Sequence, residues 1–313
     1  MLEKNNRSNK IKIIVIIIIL VIVVAVIGYL IYNNSNVVTN TPIAEKEETH
    51  EEKKDSDIND INEITIYDIE EGYLTVKHNP KADKHEYNWE KYLDNKNTFY
   101  KYEDDKYESK IGIDVSDHQG EIDWKKVKDS GVEFAIIRVG YRGYGQAGKI
   151  VLDSKFEENY KNAIDNGIEV GVYFFSQSIN IEEAKEEAEF VLKNIEGKKI
   201  TYPVTYDLEK IKNDTARTDN LTIDEINNMT IEFCKIINNN GYTPSIYGNS
   251  KTFTTKMKLE QFNDYYKWYA DYQKIPLYPY EFDMWQYTES GSVDGIEGNM
   301  DINICFVRKN NTK

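Results

Sequence analysis

From Ile111 onward, short apolar, β-branched runs alternate with amphipathic stretches of helical period. Runs suited to strands fall at 111–116, 134–140, 169–176, 202–208, 243–248, 267–271, 281–287 and 301–307. Helical patterns fill 121–130, 154–166, 181–195, 222–240 and roughly 250–262. Gly131, Gly167 and Gly241 stand where helices should end, and Thr222 with Glu225 makes a candidate capping box. Eight strands alternating with helices in so short a stretch predict a compact parallel α/β barrel rather than an open sheet. The connections after the fifth to eighth strands are short, so their helices should be shrunken or absent.

The chain before this domain is of a different kind. Ile13 to Tyr32 carries no charge and is mostly Ile and Val. At about 1.5 Å per residue, a helix of that length reaches roughly 30 Å, the thickness of a bilayer's hydrocarbon core. The run exceeds the usual apolar core of a signal peptide and is followed by no small-x-small cleavage site, so it reads as an uncleaved transmembrane signal anchor. Lys4, Arg7, Lys10 and Lys12 precede it, which predicts residues 1–12 as a cytoplasmic tail and everything after Asn33 as extracellular. Residues 33–62 are rich in Asn, Glu, Lys and Asp and poor in large apolar groups, a composition suited to a disordered acidic stalk. Residues 63–110 alternate apolar and polar positions at Ile64–Tyr67 and Tyr73–Val76 and then become rich in Tyr and Trp. They predict a small β-containing lead-in that packs on the next domain, at 111–308.

The chain's formal charge of −15 argues against a nucleic-acid partner, which would need clustered Lys and Arg. Two Cys cannot make a disulfide framework, and four His with two Cys leave little for a zinc site. The 24 Tyr suit a surface that stacks on sugars, although Tyr is also an ordinary strand former.

In a parallel barrel the chemistry collects at the carboxyl ends of the strands. Here those ends bring Asp114, Arg138, Tyr173, Asp207, Glu209, Tyr247, Trp268, Asp271, Trp285 and Gln286 to one mouth, with Asp301 facing it from the start of the eighth strand. The sharpest feature is Tyr202-Pro-Val-Thr-Tyr-Asp-Leu-Glu209. Asp207 and Glu209 share a face, with Cα atoms roughly 7 Å apart. Their carboxyls can close to about 5 Å, the separation of a retaining glycosidase. A neighbouring carboxylate also raises the pKa of one partner, keeping it protonated as an acid. Spacing alone is weak, since Asp-x-Glu recurs in an acidic chain, as at Asp68-Ile-Glu70.

Ile111-Gly-Ile-Asp-Val-Ser-Asp-His-Gln-Gly120, Ile122-Asp-Trp124, the Tyr-Asp-Leu-Glu209 strand and Met284-Trp-Gln-Tyr287 together closely resemble family 25 glycoside hydrolases, N-acetylmuramidases that cut the glycan of peptidoglycan. The resemblance runs from about Ile111 to Phe306. It implies an irregular TIM-like (β/α)5(β)3 barrel with Glu209 as general acid. Asp207 would be either the nucleophile or the group that orients the substrate's 2-acetamido. Asp114 and Asp301 match two further active-site carboxylates, and Tyr173, Tyr247, Trp268 and Trp285 match positions lining the sugar cleft; Tyr206, Gln286 and Arg138 complete the expected substrate-binding set. The implied reaction is hydrolysis, with retention, of β-1,4 bonds between N-acetylmuramic acid and N-acetylglucosamine. The rivals are a non-catalytic wall-binding module and a hydrolase of chitin-like glycan. A tethered enzyme would reach only nearby wall, which suits local remodelling or hole-making for an envelope-spanning machine.

Other features carry less. Gly143-Tyr-Gly-Gln-Ala-Gly148 has dinucleotide-binding spacing, but Lys149–Leu152 intervenes before the next helix, so a loop at the mouth is expected and no cofactor. His118 lacks partners for a metal, because His50, His78 and His85 lie upstream of the domain; it should orient its own loop. Cys234 and Cys305 read as two buried thiols.

Overall fold

The computed structural model describes residues 62–93, 99–212 and 214–309. The expected tail, the anchor at 13–32 and the stalk up to Ile61 lie outside them. No helix among the described residues is long and apolar enough to cross a membrane.

A hairpin of β1 (Glu63–Asp68) and β2 (Gly72–Lys77) comes first, then a two-residue ladder of β3 (Tyr92–Leu93) and β4 (Lys101–Tyr102). The barrel follows, with β5 (Tyr107–Val115), α1 (Trp124–Asp129), β6 (Phe134–Arg142), the short β7 (Ile150–Leu152) and α2 (Phe156–Asp165). Next come β8 (Glu169–Ser176), α3 (Ile181–Ile195), β9 (Val204–Leu208), α4 (Ile223–Asn239) and β10 (Pro244–Asn249). The chain closes with β11 (Tyr266–Ala270), β12 (Met284–Gly291) and β13 (Met300–Arg308). All eight strand candidates form the barrel, in the order β5-β13-β12-β11-β10-β9-β8-β6, closed by the β5–β6 pairing, with β7 appended to β6.

The barrel is not wholly parallel. β13 runs antiparallel to both β12 and β5. The reason is length: residues 292–299 are too few for the crossover of a dozen or more that a parallel return requires. The expected helix near 250–262 is also broken, into a π turn at Thr252–Lys256 and a 3-10 turn at Leu259–Phe262. Thr254 and Thr255 there donate to the carbonyls of Ser250 and Lys251, a back-bonding habit that disturbs regular helix. The helix signals elsewhere hold. Thr222 and Glu225 cap α4 reciprocally, and Gly131, Gly167 and Gly241 follow their helices at positive φ.

The pleat sorts side chains into two compartments. Phe134, Ile136, Trp268, Met284 and Cys305 fill the bottom of the barrel. Gly112 leaves room for the Phe134 ring, since a Cβ there would lie 2.2 Å from it. The alternate residues, among them Ile113, Ile137, Val172, Tyr206, Tyr269 and Trp285, point outward into a larger core. Part of that core is covered by the Tyr/Trp-rich lead-in. Tyr87 stacks on Phe306 with centroids 4.0 Å apart and donates to the Phe282 carbonyl at 2.5 Å. Asn79 N–H donates to the Tyr280 hydroxyl at 2.6 Å. The aromatic richness of this stretch therefore serves packing rather than sugar binding. Cys234 and Cys305 are free buried thiols.

Candidate active site

The upper inward positions of the strands converge on one cleft, of about 280 Å³, lined by Asp114, Arg138, Tyr173, Asp207, Glu209, Tyr247, Trp268, Gln286 and Asp301. All nine were expected there. Three other expected residues are elsewhere. Asp271 is buried away from the cleft and accepts the Tyr269 hydroxyl at 2.8 Å. Tyr206 alternates with Asp207 and faces outward, its ring against Phe233 and its hydroxyl 2.6 Å from Ser178. Trp285 alternates with Gln286 and is fully buried outside the barrel, donating its indole N–H to the Asp271 carbonyl at 2.6 Å. A period of two forbids adjacent strand residues from sharing a face, so neither is a sugar platform.

The floor is built around Asp114. Trp268 donates its indole N–H to Asn303 Oδ1 at 2.7 Å, and indole can only donate. That orients the Asn303 amide so that Nδ2 donates to Asp114 Oδ2 at 2.8 Å. Gln286 Nε2 donates to the same oxygen at 2.9 Å, while its Oε1 accepts the hydroxyls of Tyr247 at 2.9 Å and Tyr272 at 3.1 Å. The aromatic rings therefore act in part through amides, holding one carboxylate by a relay. Tyr247 and Tyr173 also meet Trp268 edge-on, with centroids 4.8 and 6.1 Å away.

Four carboxyls in one desolvated mouth cannot all ionise at ordinary pH. Burial pushes Asp207 well above the carboxylate range, reinforced by the charges of Glu209 and Asp114. Glu209 stands exposed just past the end of β9 and lines the mouth. Desolvation raises it to about 7, against the pull of its hydrogen bond with Asp207 and the Lys212 charge. Their hydrogen bond raises Asp207 and lowers Glu209, so the pair's retained proton sits on Asp207 with Glu209 as its acceptor. Asp207 Oδ1 is buried and meets no donor among the described residues.

Asp301 is raised to about 9 by burial and then by Asp114. Asp114 is raised by burial too, while the hydrogen bonds from Asn303, Gln286 and Asp301 oppose that rise. The arrangement leaves Asp301 as the protonated donor and Asp114 as the acceptor.

Arg138 is less free for substrate than its place at the cleft suggests. Its Nε donates to Asp153 at 2.7 Å and an Nη to Asp117 at 2.5 Å. It thus clamps the loop after β5 while keeping a positive charge near Asp207. His118 also lines the cleft, with its ring largely in solvent, and no group of His, Cys, Asp and Glu able to hold a metal occurs among the described residues. The Gly143–Gly148 stretch forms the turn of the β6–β7 hairpin, with Gly143 N–H bonded to the Lys149 carbonyl.

Sequence reasoning missed Asn303, Tyr272, Lys212 and Ile69, all of which line the cleft or hold its floor. Asn303 had a signal, since it lies two residues beyond Asp301 on one strand and must share its face. The others sit on loops and a hairpin turn whose reach no pattern encodes.

Comparison with known proteins agrees with this geometry. Residues 113–296 match the family described as Glycosyl hydrolases family 25. The autolytic lysozyme of Clostridium acetobutylicum is 27% identical over 192 residues, covering 61% of this chain and 54% of that protein. The modular autolysin LytC of Streptococcus pneumoniae, solved with a synthetic peptidoglycan ligand, superposes with a TM-score of 0.56 at 26% identity, covering 64% of this chain and 47% of that one. A family 25 glycosyl hydrolase from Bacillus anthracis shares the fold, with a TM-score of 0.55 at 22% identity over 66% of this chain and 93% of that one. The chain thus spans about half the length of the first two. With its family matched over most of the barrel, the chain belongs to glycosyl hydrolase family 25 and is a glycoside hydrolase.

Proposed function

We propose that the protein is a muramidase that hydrolyses the β-1,4 bond between N-acetylmuramic acid and N-acetylglucosamine in peptidoglycan, with retention of configuration. The observation that carries this reading is the Asp207–Glu209 pair at the end of β9, converging with Asp114 and Asp301 on one cleft. In the reaction the retained proton passes from Asp207 to Glu209, which delivers it to the leaving oxygen. Asp207, left anionic, either attacks the anomeric carbon or accepts the substrate's acetamido N–H through its unpartnered Oδ1 and steers internal attack. Asp114, held as an acceptor by two amides, fixes a sugar hydroxyl or amide on the opposite wall. The lysozyme and autolysin relatives support the choice of wall glycan over chitin-like polymer.

The test is digestion of purified peptidoglycan, with mass spectrometry of the reduced products. Fragments ending in reduced N-acetylmuramic acid support the reading; ends in reduced N-acetylglucosamine, or turnover of chitin alone, overturn it. An inverted anomer by NMR would remove the retaining mechanism.

We further propose that residues 13–32 anchor the chain, with its amino terminus cytoplasmic and the barrel facing the wall. The charge-free length of that run and the basic residues before it support this. Protease digestion of intact cells that leaves the barrel untouched would count against it.

A further inference from the structure

The β1–β2 hairpin lies outside the family-matched residues 113–296, yet its turn reaches the catalytic mouth. Asp68 and Glu70 have the spacing of the catalytic pair, but the turn puts them to different uses. Asp68 is fully buried, and its Oδ1 accepts the N–H groups of Glu70 and Glu71 at 3.0 Å each, which shapes the turn. Its Oδ2 accepts the Lys251 N–H at 3.3 Å, which ties the turn to the segment after β10. Glu71 pairs with the Lys251 ammonium on that same side. On the other side, Glu70 meets Lys212 Nζ at 3.2 Å, in the loop after β9. Gly72 completes the turn at φ 78°, a conformation that side chains with a Cβ resist.

This mounting fixes where Ile69 goes. The residue lines the cleft of the four carboxyls. It also lines an adjoining cavity of about 210 Å³, shared with Glu70, Glu209 and Tyr247 but with none of Asp114, Asp207 or Asp301. In the reaction proposed above, on which this inference rests, Glu209 serves the leaving group. The adjoining cavity therefore lies on the leaving-group side of the scissile bond.

We propose that the hairpin turn is a wall of the substrate cleft, in which Ile69 packs on the leaving-group sugar and Glu70 accepts one of its hydroxyls. A branched aliphatic side chain covers the apolar C–H face of a pyranose, and a carboxylate oxygen suits a hydroxyl donor. The lead-in thereby sets how tightly a strand is held without taking part in bond cleavage.

The test uses the full chain and a purified hexasaccharide of alternating N-acetylglucosamine and N-acetylmuramic acid. Ile69→Ala should raise KM about fivefold with kcat within about twofold, the split expected when a contact common to ground and transition states is lost. Ile69→Trp, which keeps the turn apolar but crowds the cleft, should shift KM as well. KM values within twofold of wild type for both variants overturn the wall. Affinity for the same sugar is also compared between Glu209→Gln and Glu209→Gln/Ile69→Ala. Equal affinities overturn the wall even if the wild type proves inactive, whereas weaker binding by the double variant supports it. An inactive wild type would count against the proposed reaction and leave that comparison decisive for the wall.

Discussion

Asp301 lies directly opposite Asp114 across the antiparallel β13–β5 ladder, and the two carboxyls share a hydrogen bond. Like charges facing each other across a ladder repel, so the fold tolerates this pair only with one proton retained. The antiparallel return of β13 creates the juxtaposition.

The retained proton predicts a pH-dependent stability. The pKa of Asp301 is raised from 3.8 to about 9 on folding, so the native state holds a proton that the unfolded chain releases near pH 4. Stability is fully present below pH 4 and is lost as pH rises towards 9. Asp301→Asn removes this dependence. The melting temperature of the variant relative to wild type should therefore climb from pH 5 to pH 9. A constant difference across that range would show that Asp301 is not protonated in the native state.

Glu209→Gln removes the proton donor while keeping the shape of the side chain. Turnover should fall by about 10²–10⁴-fold, the usual share of general acid catalysis, with little change in melting temperature. Release of wall fragments at a rate near wild type would reassign the acid.

The acid limb of kcat/KM should lie near pH 7, because the pair reaches its one-proton working state only once Glu209, raised to about 7, has lost its own proton. Activity is lost as pH falls through that value. Lys212 pulls the same group down, so Lys212→Met should move the limb to higher pH. A limb that stays put or moves downward in the variant contradicts the placement of Lys212 beside the acid.

Tyr206→Phe separates the two faces of β9. Its hydroxyl bonds Ser178 in the outer core, so the change should cost about 1 kcal/mol of stability and leave KM for the glycan near wild type. A large rise in KM without destabilisation would return Tyr206 to the cleft.

Sequence alone determined the barrel. Its eight strands and most of its helices were legible because each burial pattern is local, with period two or 3.6, and because Thr222, Glu225 and the helix-ending glycines act on their immediate neighbours. The Asp207–Glu209 pair was legible for the same reason, as two residues on one strand face. Strand parity is equally local and points Tyr206 and Trp285 outward, against their expected place in the cleft. Tertiary structure alone decided which groups meet across strands and loops. No spacing in the chain places Asp301 opposite Asp114, passes the Trp268 indole through Asn303 to Asp114, or brings Ile69 and Lys212 beside Glu209. Those relationships depend on ladder register, on the antiparallel closing strand and on where a hairpin docks. Each is fixed by packing between residues far apart in the chain, which local patterns do not encode.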